Sequence, residues 1–384
     1  MDRDILLSTT RWSGRAMTAL HIAWRNVTGE RRRWAVSTVA LGVAAMLVIF
    51  LEGTSRWITG SSTAYVDHTG SQLIVAQRGI DDFLFAQSAF PEATMAQVSH
   101  LPGVASVDPV VGVNGVVSVR GTHLPVYLVG FNPGQSGGPW KLEDGSKQPH
   151  GSEVVLDRGF ARVAGVHIGD SLTLFGHQLR IVGTSAQTDA AGDFFLFVPL
   201  DVAESIGGVG TVSYGLVQLK PGASPRDVAS QIDQLPGVHA VARQQVAAND
   251  RAMITTSFAQ PVQVLAVVGL IAGVLIAGIV LYTAAVEHSR DYSVLKAIGA
   301  GAGVVYGSAL LQSIVLSIFG VLLGWGLATA LSAAFDAWDP VVESRLDLDL
   351  VAAVSALIVA VNVLAALLPV RHVSRVDPQE VFKA

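Results

Sequence analysis

The chain has 384 residues, 51% of them hydrophobic and 14% charged, with a formal net charge of −5; its mean hydropathy is +0.49 and its isoelectric point about 6.0. Such a composition lies outside the soluble norm, makes a membrane protein the starting expectation, and offers no basic excess that would point to nucleic acid. Cysteine is absent, which excludes a disulfide framework and any thiol or cysteine-based metal site.

Residues 1–33 open the chain with Ala16, Leu20, Ala23, Trp24 and Val27 at helical spacing, just before "GERRRW". The pattern predicts an amphipathic helix lying in the cytoplasmic interface, with a solvated lead-in as the alternative. Residues 34–53 are long and apolar enough for a first span across a hydrocarbon core of about 30 Å. A polar stretch precedes this span and no small-residue cleavage site follows it, so it is not read as a cleaved signal peptide. Residues 54–70 are expected to continue it as a helical stalk.

Beyond the stalk the pattern changes to the alternation of strands, as in "GVVSVRG", "LPVYLVGF", "EVVLD" and "SLTLFGHQLRIVG". Two helix-like stretches interrupt it, and each ends in the same words: "LPGVASV" from Leu101 and "LPGVHAV" from Leu235. Helix, Pro-Gly turn and Val-led strand recur, so residues 71–150 and 201–245 are assigned to one porter-like α/β lobe. Residues 151–200 are then a small inserted β lobe, and 246–261 a second helical stalk. The fold class expected is therefore a membrane α-helical protein with four transmembrane helices and a large extracytoplasmic α+β domain.

Three further spans follow at 262–286, 302–335 and 350–370, separated by a charged segment at 287–301 and a loop at 336–349. Orientation follows from Lys and Arg. Arg3, Arg11, Arg15, Arg25, Arg31, Arg32 and Arg33 precede the first span, Arg290 and Lys296 follow the second, and Arg371, Arg375 and Lys383 lie in the tail at 371–384. The loop at 336–349 carries Arg345 against Asp336, Asp339, Glu343, Asp347 and Asp349. Both termini and residues 287–301 are placed in the cytoplasm, and residues 54–261 outside.

Catalytic patterns are weak. Ser136 stands at the centre of "GQSGG", but Pro133 and Pro139 flank it where a nucleophile elbow needs a helix to begin, so a surface loop is expected. The ten histidines form no pair at metal-ligand spacing, and no Gly-Lys-Ser or Gly-Lys-Thr phosphate loop occurs. Ionisable residues sit at the ends of the spans, which argues against a proton relay or a polar pathway through them. Gly269 and Gly273, and likewise Gly320 and Gly324, are four residues apart, a spacing that lets helix backbones approach closely, either within the chain or at a dimer seam.

The segment "EHSRDYSVLKAIGAG" lies between two span-length runs. It holds Tyr292, Leu295 and Ile298 on one helical face and stops at Gly299. An apolar stripe under a charged face suits a helix docked in a groove of another protein, the alternative being a helix on lipid headgroups.

These residues resemble the coupling-helix signature of the FtsX/MacB/LolC superfamily of ABC transporter permeases, through Glu287, Arg290, Asp291, Leu295, Lys296, Ala297, Ile298, Gly299 and Ala300, with Tyr292 and Ser293 departing from the family's Ile-Gly. "AWRNVTGERRRWAVSTVALGVA" and "LLPVRHVSRVDPQEVFKA" are similar to the segments that open and close that family. "LPGVASVDPVV", "VYLVGFNPG" and "EVVLDRGFARVAGVHIGDSLTLFG" resemble its MacB-type extracytoplasmic domain.

The resemblance implies a homodimeric permease in a bacterial plasma membrane, with two cytoplasmic ATPase subunits gripped through Glu287, Arg290, Asp291, Tyr292, Leu295, Lys296, Ile298 and Gly299. ATP and Mg would sit on the ATPase; the chain itself binds no cofactor and is not an enzyme. ATP-driven closure would pass through the first two spans to the outside domain, serving export or extraction of an amphipathic or lipid-like substrate, with room for an extracytoplasmic protein partner. The alternative is an FtsX-like regulator that activates a cell-wall hydrolase without transport.

Overall fold

The computed structural model describes residues 31–190, 192–287, 302–338 and 346–373. They fall into two compact units: a helical one within Met1–Thr54, Val262–Phe335 and Ser344–Ala384, and one built on a sheet within Ser55–Pro261. Glu287 closes a described helix; the interfacial helix expected before Arg31, residues 288–301 and the tail from 374 lie outside the described residues.

In chain order the elements are α1 (Arg31–Ser61), α2 (Ala64–His68), β1 (Leu73–Gln77), β2 (Phe90–Pro91), α3 (Ala93–Ser99), β3 (Val104–Val119), β4 (Thr122–Phe131), β5 (Leu142–Gly145), β6 (Glu153–Asp157), α4 (Arg158–Ala164), β7 (Ser171–Leu174), β8 (His177–Ser185), β9 (Asp189–Ala190), β10 (Asp193–Pro199), α5 (Leu200–Gly207), β11 (Thr211–Val212), β12 (Tyr214–Leu219), α6 (Pro225–Ile232), β13 (Val238–Ala242), α7 (Arg243–Ile254), a π-helical turn (Thr255–Ala259), α8 (Gln260–Glu287), α9 (Ala302–Trp338) and α10 (Leu348–Val373).

Among the described residues four stretches are long and apolar enough to cross a membrane: Trp34–Ser61, Arg243–Ile276, Leu310–Phe335 and Leu348–Ala365. Within the helical unit Leu41, Ala45, Val48 and Ile49 recur on one face of α1 and pack with Leu316, Val321 and Ala328 of α9 and with Leu350, Val354 and Ile358 of α10. Outward faces stay apolar as well, through Val36, Val39 and Val43 on α1 and Val264, Leu265, Val268 and Ile271 on α8. Apolar surface of that extent belongs against lipid tails.

The interior is not wholly apolar, although the buried polar groups named here are not ionisable. Gln312, Ser313, Ser317 and Asn362 are buried there, and Ser317 Oγ donates to the Ser313 carbonyl at 2.8 Å. A hydroxyl that bonds its own helix backbone, as that of Ser317 does, costs little in a hydrocarbon setting.

The main sheet runs β13-β1-β12-β3-β4-β10-β6-β8-β5, with β7 on β8 and β9 on β10. Its first four strands are antiparallel neighbours, so β1 and β3 point one way and β12 and β13 the other. Helix α3 links β1 to β3, and α6 links β12 to β13. The result is a pair of interleaved split β-α-β units, the ferredoxin-like arrangement. The repeated Leu-Pro-Gly-Val words occupy equivalent places in the two units. Val104 pairs with Leu219 and Val238 with Gln77, each at the far end of the neighbouring strand.

Residue alternation buries both faces of this sheet. Leu73 and Val75 of β1 meet Val98 of α3 and Val228 and Ile232 of α6. Ile74 and Ala76 turn to Tyr65 and Val66 of α2 and Val246 and Ala247 of α7. A strand covered on both faces reads as an unbroken apolar run, here "LIVA".

Strand pairing does not follow the division expected at residues 150 and 151. β3 is 16 residues long: its first half pairs with β12 and its second, from Val111, with β4. β4 in turn runs parallel to β10, so the added strands begin inside β3 and continue the same sheet. One long strand serving two ladders leaves no turn signal where the function of the strand changes.

Candidate functional site

Two helices that begin or end in span-length stretches enter the sheet unit, and the residues that join them lie wholly within Ser55–Pro261. After α1 the chain turns through Ser62 and Thr63 into the short α2; Ser61, Ser62 and Thr63 are all buried. Ser62 Oγ bonds the Thr59 carbonyl at 2.8 Å, so the helix end satisfies itself. From the other side come α7 and the π-helical turn that runs without a break into α8. A π turn inside a long helix is a common mark of a functional position.

Side chains of α7 clasp α2 and the turn before it. Arg251 Nη2 donates to Thr63 Oγ1 at 3.2 Å, and Arg243 Nη1 donates to the Asp67 carbonyl at 2.9 Å with the Asp67 carboxylate 3.3 Å away. The second pair is partly exposed, so its electrostatic share is small and its role is to set direction.

Between these helices and the sheet sits the Phe83 ring, 1% exposed and stacked on Tyr65 of α2 with centroids 4.6 Å apart. Its other neighbours are Tyr127 of β4 at 5.1 Å and Tyr214 of β12 at 4.7 Å. Offset aromatic contacts of this kind add to the burial itself. The segment bearing Phe83 has neither helix nor strand, and side chains from elsewhere hold its backbone. Asp250 Oδ1 of α7 accepts from Phe83 N at 2.9 Å and Leu84 N at 3.2 Å. Asn249 Nδ2 donates to the Asp81 carbonyl at 2.8 Å. Tyr127 Oη donates to the Phe83 carbonyl at 3.2 Å, while the Tyr214 hydroxyl lies 3.0 Å from the Ala86 carbonyl. Burial pushes the hydroxyls of Tyr65, Tyr127 and Tyr214 well above the ordinary tyrosine range, so they remain proton donors at any working pH.

Chemically this arrangement holds two helices and a sheet together. Each polar side chain named bonds a backbone group or a neighbouring side chain, Asp250 through Oδ1 alone. Among the described residues no group of three His, Asp or Glu side chains gathers as a metal site would require. Ser136 is no nucleophile in this geometry: Gln218 Nε2 donates to its Oγ at 3.0 Å, and its N–H donates to Asp108 Oδ2 at 3.1 Å. Its loop is tied down rather than free, since Tyr65 Oη donates to the Gly137 carbonyl at 3.0 Å.

Of the coupling residues, Arg290, Asp291, Tyr292, Leu295, Lys296, Ile298 and Gly299 lie outside the described residues, and Glu287 is placed only as the last residue of α8. The four span glycines all face α1 of the same chain. A Cβ on Gly269 would lie 2.7 Å from Leu47 Cδ2, one on Gly320 2.8 Å from Leu41 Cδ2, and one on Gly324 2.5 Å from Ala45 Cβ; Gly273 meets Ala44. Of the two roles open to them, packing within the chain is the one this geometry shows. Asp250, Phe83, Tyr214 and Arg251 were not singled out by the sequence; the signal was an Asp in the helix that precedes a span, and "FLF" in a segment without periodicity.

Compared with known proteins, the sequence matches the family described as MacB-like periplasmic core domain over residues 35–235 and the FtsX-like permease C-terminal family over residues 263–378. Two uncharacterized ABC transporter permeases of Mycobacterium tuberculosis (strain ATCC 25618 / H37Rv), Rv0072 and Rv2563, are each 24% identical over 367 residues, covering 94% of this chain and 99% of theirs. Among solved structures, the periplasmic region of MacB from Actinobacillus actinomycetemcomitans aligns with a TM-score of 0.37 at 14% identity, over 47% of this chain and 92% of that one. The extracellular domain of the noncanonic ABC-type transporter YknZ from Gram-positive bacteria gives 0.34 at 12% identity, over 45% and 100%.

Proposed function

Because the chain belongs to the MacB/FtsX family of ABC transporter permeases, we propose that it is the subunit through which a separate cytoplasmic ATPase drives an extracytoplasmic domain. ATP and Mg bind on that ATPase. Residues 287–301, with Leu295 and Ile298 on the docking face, form the handle it grips. Two copies of the chain pair with two ATPase subunits, and both termini lie in the cytoplasm of a bacterial cell.

One observation carries the reading. The helices continuous with the first two spans end in the sheet unit at a single joint, clasped by Arg243 and Arg251 and filled by Phe83. Packed interiors are stiff, so displacement of either helix there is passed to the sheet instead of being absorbed. The substrate class that suits such a relay is amphipathic or lipid-like, moved by the outer domain and not through a pore lined by the spans.

The test is purification of the full chain from its own membranes. A nucleotidase with a phosphate-binding loop is expected to co-purify, and Leu295→Asp with Ile298→Asp is expected to remove it while the chain stays in the membrane. Undiminished co-purification of the double variant overturns the handle.

A further inference from the structure

Asp250 is fully buried, at 0% exposure, on the helix that leads into the second span. Its Oδ1 accepts from two consecutive backbone N–H groups, those of Phe83 and Leu84, 167 and 166 residues away in sequence. Its Oδ2 has no hydrogen-bond partner among the described residues. For packing alone this is an expensive choice, since a buried carboxylate with one oxygen unsatisfied is less stable than an apolar side chain of similar volume. What the carboxylate provides is direction: two parallel bonds to a segment that has no ladder of its own. That segment presents Phe83 to Tyr65, on the helix that follows the first span.

We infer that Asp250 is the positioning residue of the relay: by fixing the backbone of Phe83 and Leu84 to α7, it couples the helix of the second span to that of the first through the Phe83 ring. The inference rests on the relay reading and adds to it the side chain through which the two inputs are made to move together. Neighbouring groups fit that role. Asp82 faces Asp250 from the same segment, and Tyr127 and Tyr214 face it from β4 and β12. Asp82 Oδ1 is engaged with Phe85 N at 2.9 Å and Ala86 N at 2.7 Å, which shapes the turn that Asp250 then anchors. The arginines of α7 point elsewhere, Arg251 to Thr63 and Arg243 to Asp67. Among the described residues no cation pairs with Asp250, and its Oδ1 is used on backbone N–H groups.

The experiment compares wild type, Asp250→Asn and Asp250→Ala as the full chain in its complex, purified from its own membranes and placed in lipid nanodiscs. Backbone amide exchange is followed in peptides covering residues 80–88 and in peptides from β3, β4 and β12, with ATP and with ADP. Asparagine keeps the accepting Oδ1; alanine does not. In Asp250→Ala, exchange at Phe83 and Leu84 is expected to rise at least tenfold, and the nucleotide-dependent difference in the strands to disappear. Asp250→Asn is expected to restore both. Unchanged exchange at Phe83 and Leu84 in Asp250→Ala overturns the anchor. A nucleotide response that survives in Asp250→Ala, or is lost equally in Asp250→Asn, reduces Asp250 to a structural group and overturns the inference. If the wild type itself shows no nucleotide response, the relay fails, and the inference with it, while the exchange at Phe83 still reports whether the anchor exists.

Discussion

The backbone N–H of Arg78 meets the carbonyl of Gly237 at 2.9 Å, and 142 residues later the N–H of Lys220 meets the carbonyl of Gly103 at 2.8 Å. Each bond joins the residue just past one strand to the glycine of the opposite Leu-Pro-Gly-Val turn. The two words are therefore one turn used twice about an approximate two-fold axis of the four-strand sheet. In both turns the Leu N–H bonds a buried residue of the preceding helix, Leu101 to Val98 and Leu235 to Ile232.

The two glycines differ in surroundings, and that difference is testable. Both lie in the left-handed region, with φ of +88° at Gly103 and +77° at Gly237. A side chain costs about 1–2 kcal/mol at either from backbone conformation alone. A Cβ at Gly103 would also lie 2.9 Å from Val228 Cγ2 and 3.2 Å from Ala223 Cβ, whereas Gly237 has open space. Gly237→Ala is expected to lower stability by about 1–2 kcal/mol, and Gly103→Ala by more. Thermal midpoints of the full chain in detergent should fall in that order; equal midpoints would show that Val228 moves aside without cost.

How legible was this in the sequence? The spans were, since a run of apolar residues as long as "VQVLAVVGLIAGVLIAGIVLY" has few other homes. The helix-to-strand units were too, because Pro-Gly after an amphipathic stretch is a local signal. Two things were not. The added strands were expected from residue 151, but β3 changes partner at Val111 with no break in its alternation. The joint was missed because Asp250 and Phe83 are separated by 167 residues and neither sits in a motif. Local chemistry writes turns and periods into a sequence; a single long-range hydrogen bond leaves no period to find.

The span glycines predict a contrast along α9. Gly324→Ala would place a methyl 2.5 Å from Ala45 Cβ and 2.7 Å from the Gly42 carbonyl, while a Cβ on Gly326 meets nothing within 4 Å among the described residues. Overpacking of this kind costs about 1–3 kcal/mol. Replacing an exposed helical glycine gains up to about 1 kcal/mol. Gly324→Ala should lower the thermal midpoint and Gly326→Ala should leave it or raise it. If the stripe instead joined two copies, Gly324→Ala would dissociate them and leave the single chain's midpoint in place.

Asp157 gives a pH dependence with a definite sign. Burial pushes its carboxyl up to about 6, with Asp189 adding to the rise and Thr188 and the amides of Gly159 and Phe160 opposing it. Its Oδ2 accepts from Thr188 Oγ1 at 2.7 Å, and Oδ1 caps α4 through Gly159 N at 2.6 Å. The folded chain holds this proton more tightly than the unfolded one, so the stabilising share is full below about pH 4 and lost as pH rises through about 6. Two units correspond to about 3 kcal/mol. Asp157→Asn keeps the capping oxygen and cannot ionise. The difference in unfolding midpoint between wild type and Asp157→Asn should shift against the wild type between pH 4 and 6.5, and a difference that stays constant across that range would refute the assignment.

At the joint, ring and hydroxyl are expected to contribute unequally. Phe83→Ala removes a ring that is 1% exposed and contacts Tyr65, Tyr127 and Tyr214, so it should cost about 3–5 kcal/mol through lost burial and an unfilled space. Tyr214→Phe keeps the ring and removes one hydroxyl proton that three carbonyls, those of Asp82, Phe83 and Ala86, share at 3.0–3.3 Å. One donor cannot serve three acceptors at once, so its loss should cost about 1 kcal/mol, the net worth of a single hydrogen bond. Denaturant midpoints of the full chain should rank wild type above Tyr214→Phe and both above Phe83→Ala. A larger loss for Tyr214→Phe would mean that the segment is held mainly by the tyrosine hydroxyl, and that Phe83 follows it instead of filling the joint.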